Sequence, residues 1–444
     1  MLGDSLKHYY LKLQQHCCPP QFAGNYAQIG ILLLPLLPSF GALAITASLL
    51  IILQQYRRII HRPLTWGMAS LATFLVITTS FASNRGDAFL GLFNFLPFFI
   101  LFAGFSELIR TPNQLRRISW LLVISSLPVV IIGLGQLFLG WVSPLSLQPL
   151  LGWHLALQGN PPGRMSSIFL YANILAGYLV VVFILGLGLL LEKFPGISLK
   201  KPNYFTLMFL SVATIGNLAA IILTNSRNAW AIAITALLSY AIYHRWRWII
   251  MAVSGIFCSI ILAAFAPSPL QELFRKIVPA FFWARLTDQL YPDRPISLLR
   301  TTQWKFAWDL TIERPWTGWG LRNFTALYEA KTHLWLGHPH NFFLMLTAEV
   351  GIPTTLLFCS LVGGVIMRAI VVVIGDRHQS SQDKLIFFSY ILAFLAIALF
   401  NTVDVTLFDF RSNTLNWIIL SAIWGVTSSF NKACMGNTPK LDPP

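Results

Sequence analysis

The sequence predicts an all-α, polytopic integral membrane protein with eleven or twelve transmembrane helices and one large extracytoplasmic loop. Three observations predict it. Of the 444 residues, 56% are hydrophobic and 11% charged, whereas a soluble domain carries roughly 25% charged residues. Apolar runs of about 20 residues, the length a spanning helix needs, recur along the chain. Lys and Arg concentrate in alternate loops.

The runs fall near 64–82, 87–109, 118–140, 168–192, 204–224, 228–243, 248–266, 352–374, 385–405 and 413–430. The stretch 22–53 is longer and holds Pro35 and Pro38. It reads as one long span or as two short ones meeting at a proline-broken turn. No cleavable leader is expected: the first long apolar run lacks a small-residue cleavage site after it.

Charge sets the orientation. The loops around Arg57-Arg58, Arg110–Arg117, Lys193–Lys201, Arg245–Arg247 and Arg368–Lys384, with both tails, hold 18 Lys and Arg. The short loops of the opposite set hold only Arg85, Arg164, Arg227 and Arg411. Positive loops stay in the cytoplasm. The C-terminus is therefore expected inside, and residues 267–339 outside. An N-terminus inside, with Lys7 and Lys12, requires twelve spans, which favours the broken hairpin. The expected organisation is residues 1–266 as N-terminal spans, 267–339 as the outer loop with amphipathic helices, and 340–444 as C-terminal spans.

Net charge is +15. In a soluble protein this would suggest nucleic acid. Here it follows from loop topology, and no nucleic-acid partner is expected. The five cysteines, Cys17, Cys18, Cys258, Cys359 and Cys434, form no CxxC. They suggest neither a disulfide framework nor a zinc site.

A coupled transporter normally places ionisable groups near the bilayer midplane. The sequence shows none there. Glu107, Glu192 and Asp404 lie at span ends. Charge collects at the outer boundary instead, at Arg85, Asp87, Arg164, Arg227, Asp404, Asp409 and Arg411. Such a boundary suits an anionic, membrane-anchored substrate. Arg227 follows the short link Thr224-Asn225-Ser226, where Asn225 or Ser226 can cap the next helix. A helix N-terminus beside a guanidinium is an anion site. Arg164 precedes another span on the same side. The alternative for both is an interfacial arginine reaching for water.

Residues His338–Gly351 read HPHNFFLMLTAEVG and join the polar loop to an apolar run. His340 is expected to open a short surface helix over 340–350, with Gly351 and Pro353 breaking it from a span over 352–374. Near a helix N-terminus its charged form is disfavoured, which leaves a neutral imidazole for general-base work. His338 and His333 are weaker candidates. Two histidines two apart suggest a metal, but no HExxH or adjacent acid accompanies them, and none is expected. Glu349 reads as a structural hydrogen-bond partner.

The loop 267–339 holds six of the fifteen tryptophans: Trp283, Trp304, Trp308, Trp316, Trp319 and Trp335. Flat aromatic faces suit sugar rings or the membrane interface. Ser297–Glu313 reads as an amphipathic helix with Arg300, Trp304 and Trp308 on one stripe. Pro315–Gly320 ends it.

Four motifs carry a family resemblance: TNSRNAW from Thr224 to Trp230; Arg164 ahead of FLYANILA from Phe169 to Ala176; Arg300-x-x-x-Trp304 followed by RPWTGWG from Arg314 to Gly320; and His340-Asn341 with Glu349-x-Gly351. Over roughly residues 160–375 the chain resembles the O-antigen ligase and polymerase-like superfamily of bacterial envelope proteins. That resemblance implies glycan transfer on the outer face of the inner membrane. The donor would be a glycan on a polyprenyl (undecaprenyl) diphosphate, and the acceptor a lipid A-core sugar or another glycan. It implies no metal and no cofactor. His340 would deprotonate the acceptor hydroxyl. Arg227, Arg300 and Arg164 would hold the pyrophosphate. Asn341, His338, Arg322 and Trp304 would contact substrate.

The superfamily is mixed. It includes polymerases using the same donor, and cyanobacterial proteins once proposed as inorganic-carbon transporters, which the chain resembles around Arg300 and Pro315–Gly320. The ligase reading is preferred. A polymerase, a bicarbonate carrier using Arg227 and scattered groups such as Asn173, Asn217, Gln136 and Asn416, and a non-catalytic assembly protein remain as alternatives.

Overall fold

The computed structural model describes residues 20–54, 59–144, 146, 148–194, 203–287, 298–375 and 380–436. Lys7, Lys12, Cys17, Cys18, Arg57, Arg58, Lys200, Lys201 and Ser297 lie outside these. The protein is an all-α membrane protein. Among the described residues seven helices are long and apolar enough to cross a membrane, and no strand occurs.

In chain order the helices are α1 (Pro20–Leu33), α2 (Pro38–Leu53), α3 (Pro63–Ser80), α4 (Arg85–Leu92), α5 (Leu96–Leu108), α6 (Pro112–Phe138), α7 (Ala172–Lys193), α8 (Tyr204–Leu223), α9 (Arg227–Tyr243) and α10 (Arg247–Phe265). The loop contributes α11 (Leu270–Ile277), α12 (Ala280–Leu286), α13 (Arg300–Glu313) and α14 (Asn323–Thr332). Then follow α15 (Phe342–Gly375), α16 (Ser381–Phe400) and α17 (Phe410–Gly436).

The 22–53 stretch is the broken hairpin. Pro38 starts α2, and a turn at Leu34–Leu36 separates it from α1. The helices touch backbone to backbone: a Cβ on Gly41 would lie 2.7 Å from Leu34 Cα, and one on Gly30 would lie 2.6 Å from Ile45 Cγ1. Small residues permit such close packing in lipid.

Helix α7 is the central strut. Its apolar window is 78% buried, against 11% for the peripheral α10. Gly188 on α7 leaves room for Tyr240 of α9 and Ser389 of α16. The Tyr240 hydroxyl donates to the Ser389 oxygen at 2.6 Å, and a Cβ on Gly188 would lie 2.2 Å from that oxygen.

Ion pairs and hydrogen bonds sort the loops as the charge pattern did. Glu107 pairs with Arg62 and Arg110. Arg116 pairs with Glu192 at 2.6 Å and Asp383 at 2.7 Å. All of these belong to the Lys/Arg-rich set. The opposite set meets around residues 84, 164, 224, 323, 340 and 404.

The outer loop is pinned to α15 where that helix breaks. Gly351 has φ +78° and interrupts α15, and Pro353 follows. A break strands carbonyls that a helix would have bonded. The loop supplies partners: the Trp319 N–H donates to the Ala348 carbonyl at 2.9 Å and the Gly320 N–H to the Glu349 carbonyl at 2.7 Å. In return the Ile352 N–H donates to the Pro315 carbonyl at 2.8 Å. Arg314 stacks over Trp319, 3.8 Å from its ring centre. This accounts for the sequence pair Pro315–Gly320 and Glu349-x-Gly351. A small apolar core of Phe306, Ala307, Leu310, Phe324, Tyr328 and Ala348 completes the junction.

One expectation needs correction. Helix α15 begins at Phe342, not at His340, which sits two residues earlier with φ +51°. On α13 the buried face is Gln303, Phe306, Ala307, Leu310 and Thr311, so the Arg300–Trp304–Trp308 stripe flanks the packed face, and Trp308 is exposed.

Candidate functional site

Where the sparsely charged set of loops meets, a cavity of about 850 Å³ opens. Arg164, Tyr171, Asn173, His154, Asp404 and Arg411 line it together with Asp87, Arg322, Thr325, Glu329 and Trp335. His338 and His340 belong to the same lining.

His340 is placed by Pro339, which is buried, and by a left-handed backbone before α15. Its Nδ1 lies 3.3 Å from Asp404 Oδ1. Asp404 is near the start of the link from α16 to α17. Its Oδ1 also accepts the Val405 N–H at 2.9 Å, and its Oδ2 accepts the Asn173 amide at 2.6 Å. Asn173 in turn accepts from Arg164, whose Nε donates to the Thr224 carbonyl at 2.8 Å. A continuous chain thus runs from the turn before α9 to the His340 ring. Burial would push the Asp404 carboxyl up. The His340 hydrogen bond, the two imidazoles and the Val405 N–H outweigh it and hold it at about 2. The carboxylate is therefore ionised at neutral pH.

An ionised carboxylate can only accept. It therefore selects the His340 tautomer with hydrogen on Nδ1, and the Nε2 lone pair is then available as a base. His338 plays another part. Its Nδ1 accepts the His340 N–H at 3.2 Å, and its Nε2 stands 3.9 Å from Asp404. Burial, with His340 and Arg300 nearby, lowers its pKa to about 4 against the pull of Asp404. It is neutral at pH 7 and braces His340. His154, also in the lining, is shifted down as well, by burial and then by Arg411.

The sequence-derived candidates separate. His340, His338, Arg164 and Arg322 line one cavity. Arg300, at the start of α13, is close enough for its charge to act on His338. Arg227 opens α9, and its neighbour Asn228 donates to the Phe400 carbonyl at 3.0 Å, four residues before Asp404. Ser226 is the N-cap by position, with no side-chain cap bond. Asn341 caps α15, accepting the Leu344 N–H at 3.0 Å. Trp304 is half-buried, outside the cavity lining, and its Nε1 has no hydrogen-bond partner among the described residues. His333 ends α14 in a left-handed turn, also outside that lining.

The sequence shows Asp404 only as one of the outer-boundary charges and Asn173 only as a scattered polar group; their hydrogen bonds to His340 and Arg164 are what the structure adds. Asp404 also overturns the ground for setting metal aside. The acid absent beside His338 and His340 comes from 64 residues further on, and the ligand atoms of His338, His340 and Asp404 lie within 4.8 Å of one another. Two imidazoles and a carboxylate match the protein ligands of an open zinc site. A metal there would compete with the hydrogen bond that orients His340.

Residues 210–359 match the family model described as O-antigen ligase. No match occurs among curated proteins. The matched segment contains Arg227, Arg300, Trp304, Arg322, His338, His340 and Asn341. Arg164 and Asn173 precede it and Asp404 follows it, so the fold brings onto it the groups that orient its histidine. The match supports membrane glycan processing of the O-antigen ligase or polymerase type.

Proposed function

We propose that the protein is a membrane glycosyltransferase of the O-antigen ligase type, taking a glycan from a polyprenyl diphosphate carrier to a lipid or sugar acceptor on the outer face of the inner membrane. The observation that carries this reading is the hydrogen-bond chain Arg164–Asn173–Asp404–His340, which leaves one imidazole nitrogen as a base at a cavity wall. His340 Nε2 takes the proton of the acceptor hydroxyl. The resulting oxygen attacks the anomeric carbon, and the bond from that carbon to the diphosphate breaks with the electron pair leaving on phosphate oxygen. Arginines stabilise the charge that grows there. Arg164 lies at the cavity wall, and Arg322, Arg227 and Arg300 are the further candidates for this role.

An apolar groove of about 320 Å³ between α15, α16 and α17 suits the carrier's tail. Phe342, Phe358, Val362 and Phe394 line it, and Asn401 and Thr406 form a polar end close in sequence to Asp404. The scattered polar groups that a conduction path would need make local hydrogen bonds, although Asn217 Oδ1 is buried without a partner among the described residues. Asn217 bonds Ser126 and the Ala213 carbonyl. Gln136 bonds the Ala156 carbonyl and the Ser166 N–H. Asn416 bonds Thr406.

The test is transfer from a fluorescent polyprenyl-diphosphate glycan by detergent-purified protein, with and without chelator. Transfer that chelator spares and His340→Ala abolishes is expected. The product separates ligase from polymerase. Loss of transfer on chelation would put the metal reading in place of the base. Bicarbonate uptake by vesicles that Arg227→Ala stops, without any glycan transfer, would replace the enzyme reading.

A further inference from the structure

Three tryptophans of the outer loop are largely exposed: Trp308 at 48%, Trp316 at 77% and Trp335 at 69%. Of these, Trp335 lines the cavity that holds His340. The flanks of Trp335 are fixed although its ring is open to water. Thr325 donates to the Gly337 carbonyl at 2.9 Å, and Leu336 packs on the small core beside Tyr328. A Cβ on Gly337 would sit 3.4 Å from the indole. The ring is thus presented from an anchored segment five residues before the proposed base.

Glu329 and Asp87 line the same cavity, and Asn84 holds the Asp87 carboxylate at 2.7 Å. An indole face is negative and attracts the polarised C–H face of a pyranose. Carboxylates accept sugar hydroxyls and repel phosphate. Arg322 lines the same cavity and can donate to sugar hydroxyls.

We infer that Trp335, with Glu329 and Asp87, forms a pyranose subsite of the cavity. The inference uses the proposed function only for the reaction in which that sugar takes part. The sugar belongs to the acceptor or to the donor's glycan.

Binding tests it without catalysis. Maltotriose, cellotriose and chitotriose are titrated into detergent-purified protein and followed by saturation-transfer NMR. At least one should bind the wild type. Trp335→Ala should weaken it about tenfold or more, while Trp335→Phe should stay within about threefold, since an aromatic face is retained. Trp316→Ala serves as the exposed-tryptophan control and should bind as wild type, and gel filtration checks that each variant is intact. Absence of binding to wild type, or unchanged binding to Trp335→Ala, overturns the subsite. Trp335-dependent binding in a protein that shows no transfer would sink the proposed function and leave the subsite standing. Where transfer occurs, a raised KM of Trp335→Ala for acceptor alone assigns the subsite to the acceptor, and for donor alone to the donor. No change in either KM overturns it.

Discussion

His340 and His338 are two residues apart, and the structure gives them different work. His340 Nδ1 faces an ionised Asp404, which fixes its tautomer. His338 accepts the His340 N–H and has its pKa lowered to about 4. That is below the value of a free histidine, so the unfolded chain binds this proton more readily than the folded one. Stability from His338 is present above about pH 6.5 and is lost as pH falls towards 4. The pKa of Asp404 is depressed, so its contribution disappears only below the usual carboxylate range. The detergent-solubilised protein should therefore melt at lower temperature at pH 5 than at pH 7, and His338→Asn, which keeps an acceptor but cannot titrate, should flatten that difference. An unchanged slope would remove His338 as its source. His340 was legible in the sequence because it is a titratable group beside an apolar run. Asp404 was legible as one of the outer-boundary charges, but its pairing with His340 was not, because 64 residues separate them.

At the scale of elements, the decisive joint is the break in α15. The sequence showed Gly351 and Pro353 as a break and Pro315–Gly320 as a turn. It did not show that one exists for the other. Pairing of the loop amides with the stranded carbonyls is a tertiary fact, set by close approach at two glycines. A Cβ on Gly351 would come 2.4 Å from the Trp316 carbonyl oxygen, at a φ that favours glycine. Gly351→Ala should cost about 1–3 kcal/mol from backbone strain alone, read as a lowered melting temperature, with more lost to the clash. A variant melting as wild type would mean that the loop docks elsewhere. The same limit explains α13. Its helical period was legible, but the packed face is set by α15 and by Phe324 and Tyr328 of α14, which no local pattern announces.

For the whole molecule, apolar length and loop charge carried most of the architecture. Helices lie where the apolar runs were read, including the broken hairpin, because burial and backbone satisfaction in lipid leave few alternatives. The contacts then divide the loops into two sets, with Glu107 and Arg116 in one and Asp404 in the other. From the charge bias we propose that the first set is cytoplasmic. In a background with native cysteines replaced, Ala330→Cys should react with an impermeant maleimide from outside the inner membrane, and Ser381→Cys only after permeabilisation. The reverse pattern would invert the topology and face the cavity inward.

The central claim is that Asp404 and His340 together form the base of glycan transfer. Single-turnover consumption of a polyprenyl-diphosphate glycan, with acceptor in excess, tests it most directly. His340→Ala should slow the step by roughly 10²–10⁴-fold, the range of a general base. Asp404→Asn should slow it too, because an amide can donate to Nδ1 and favour the wrong tautomer, while donor binding stays near wild type. Wild-type rates in either variant would contradict the account.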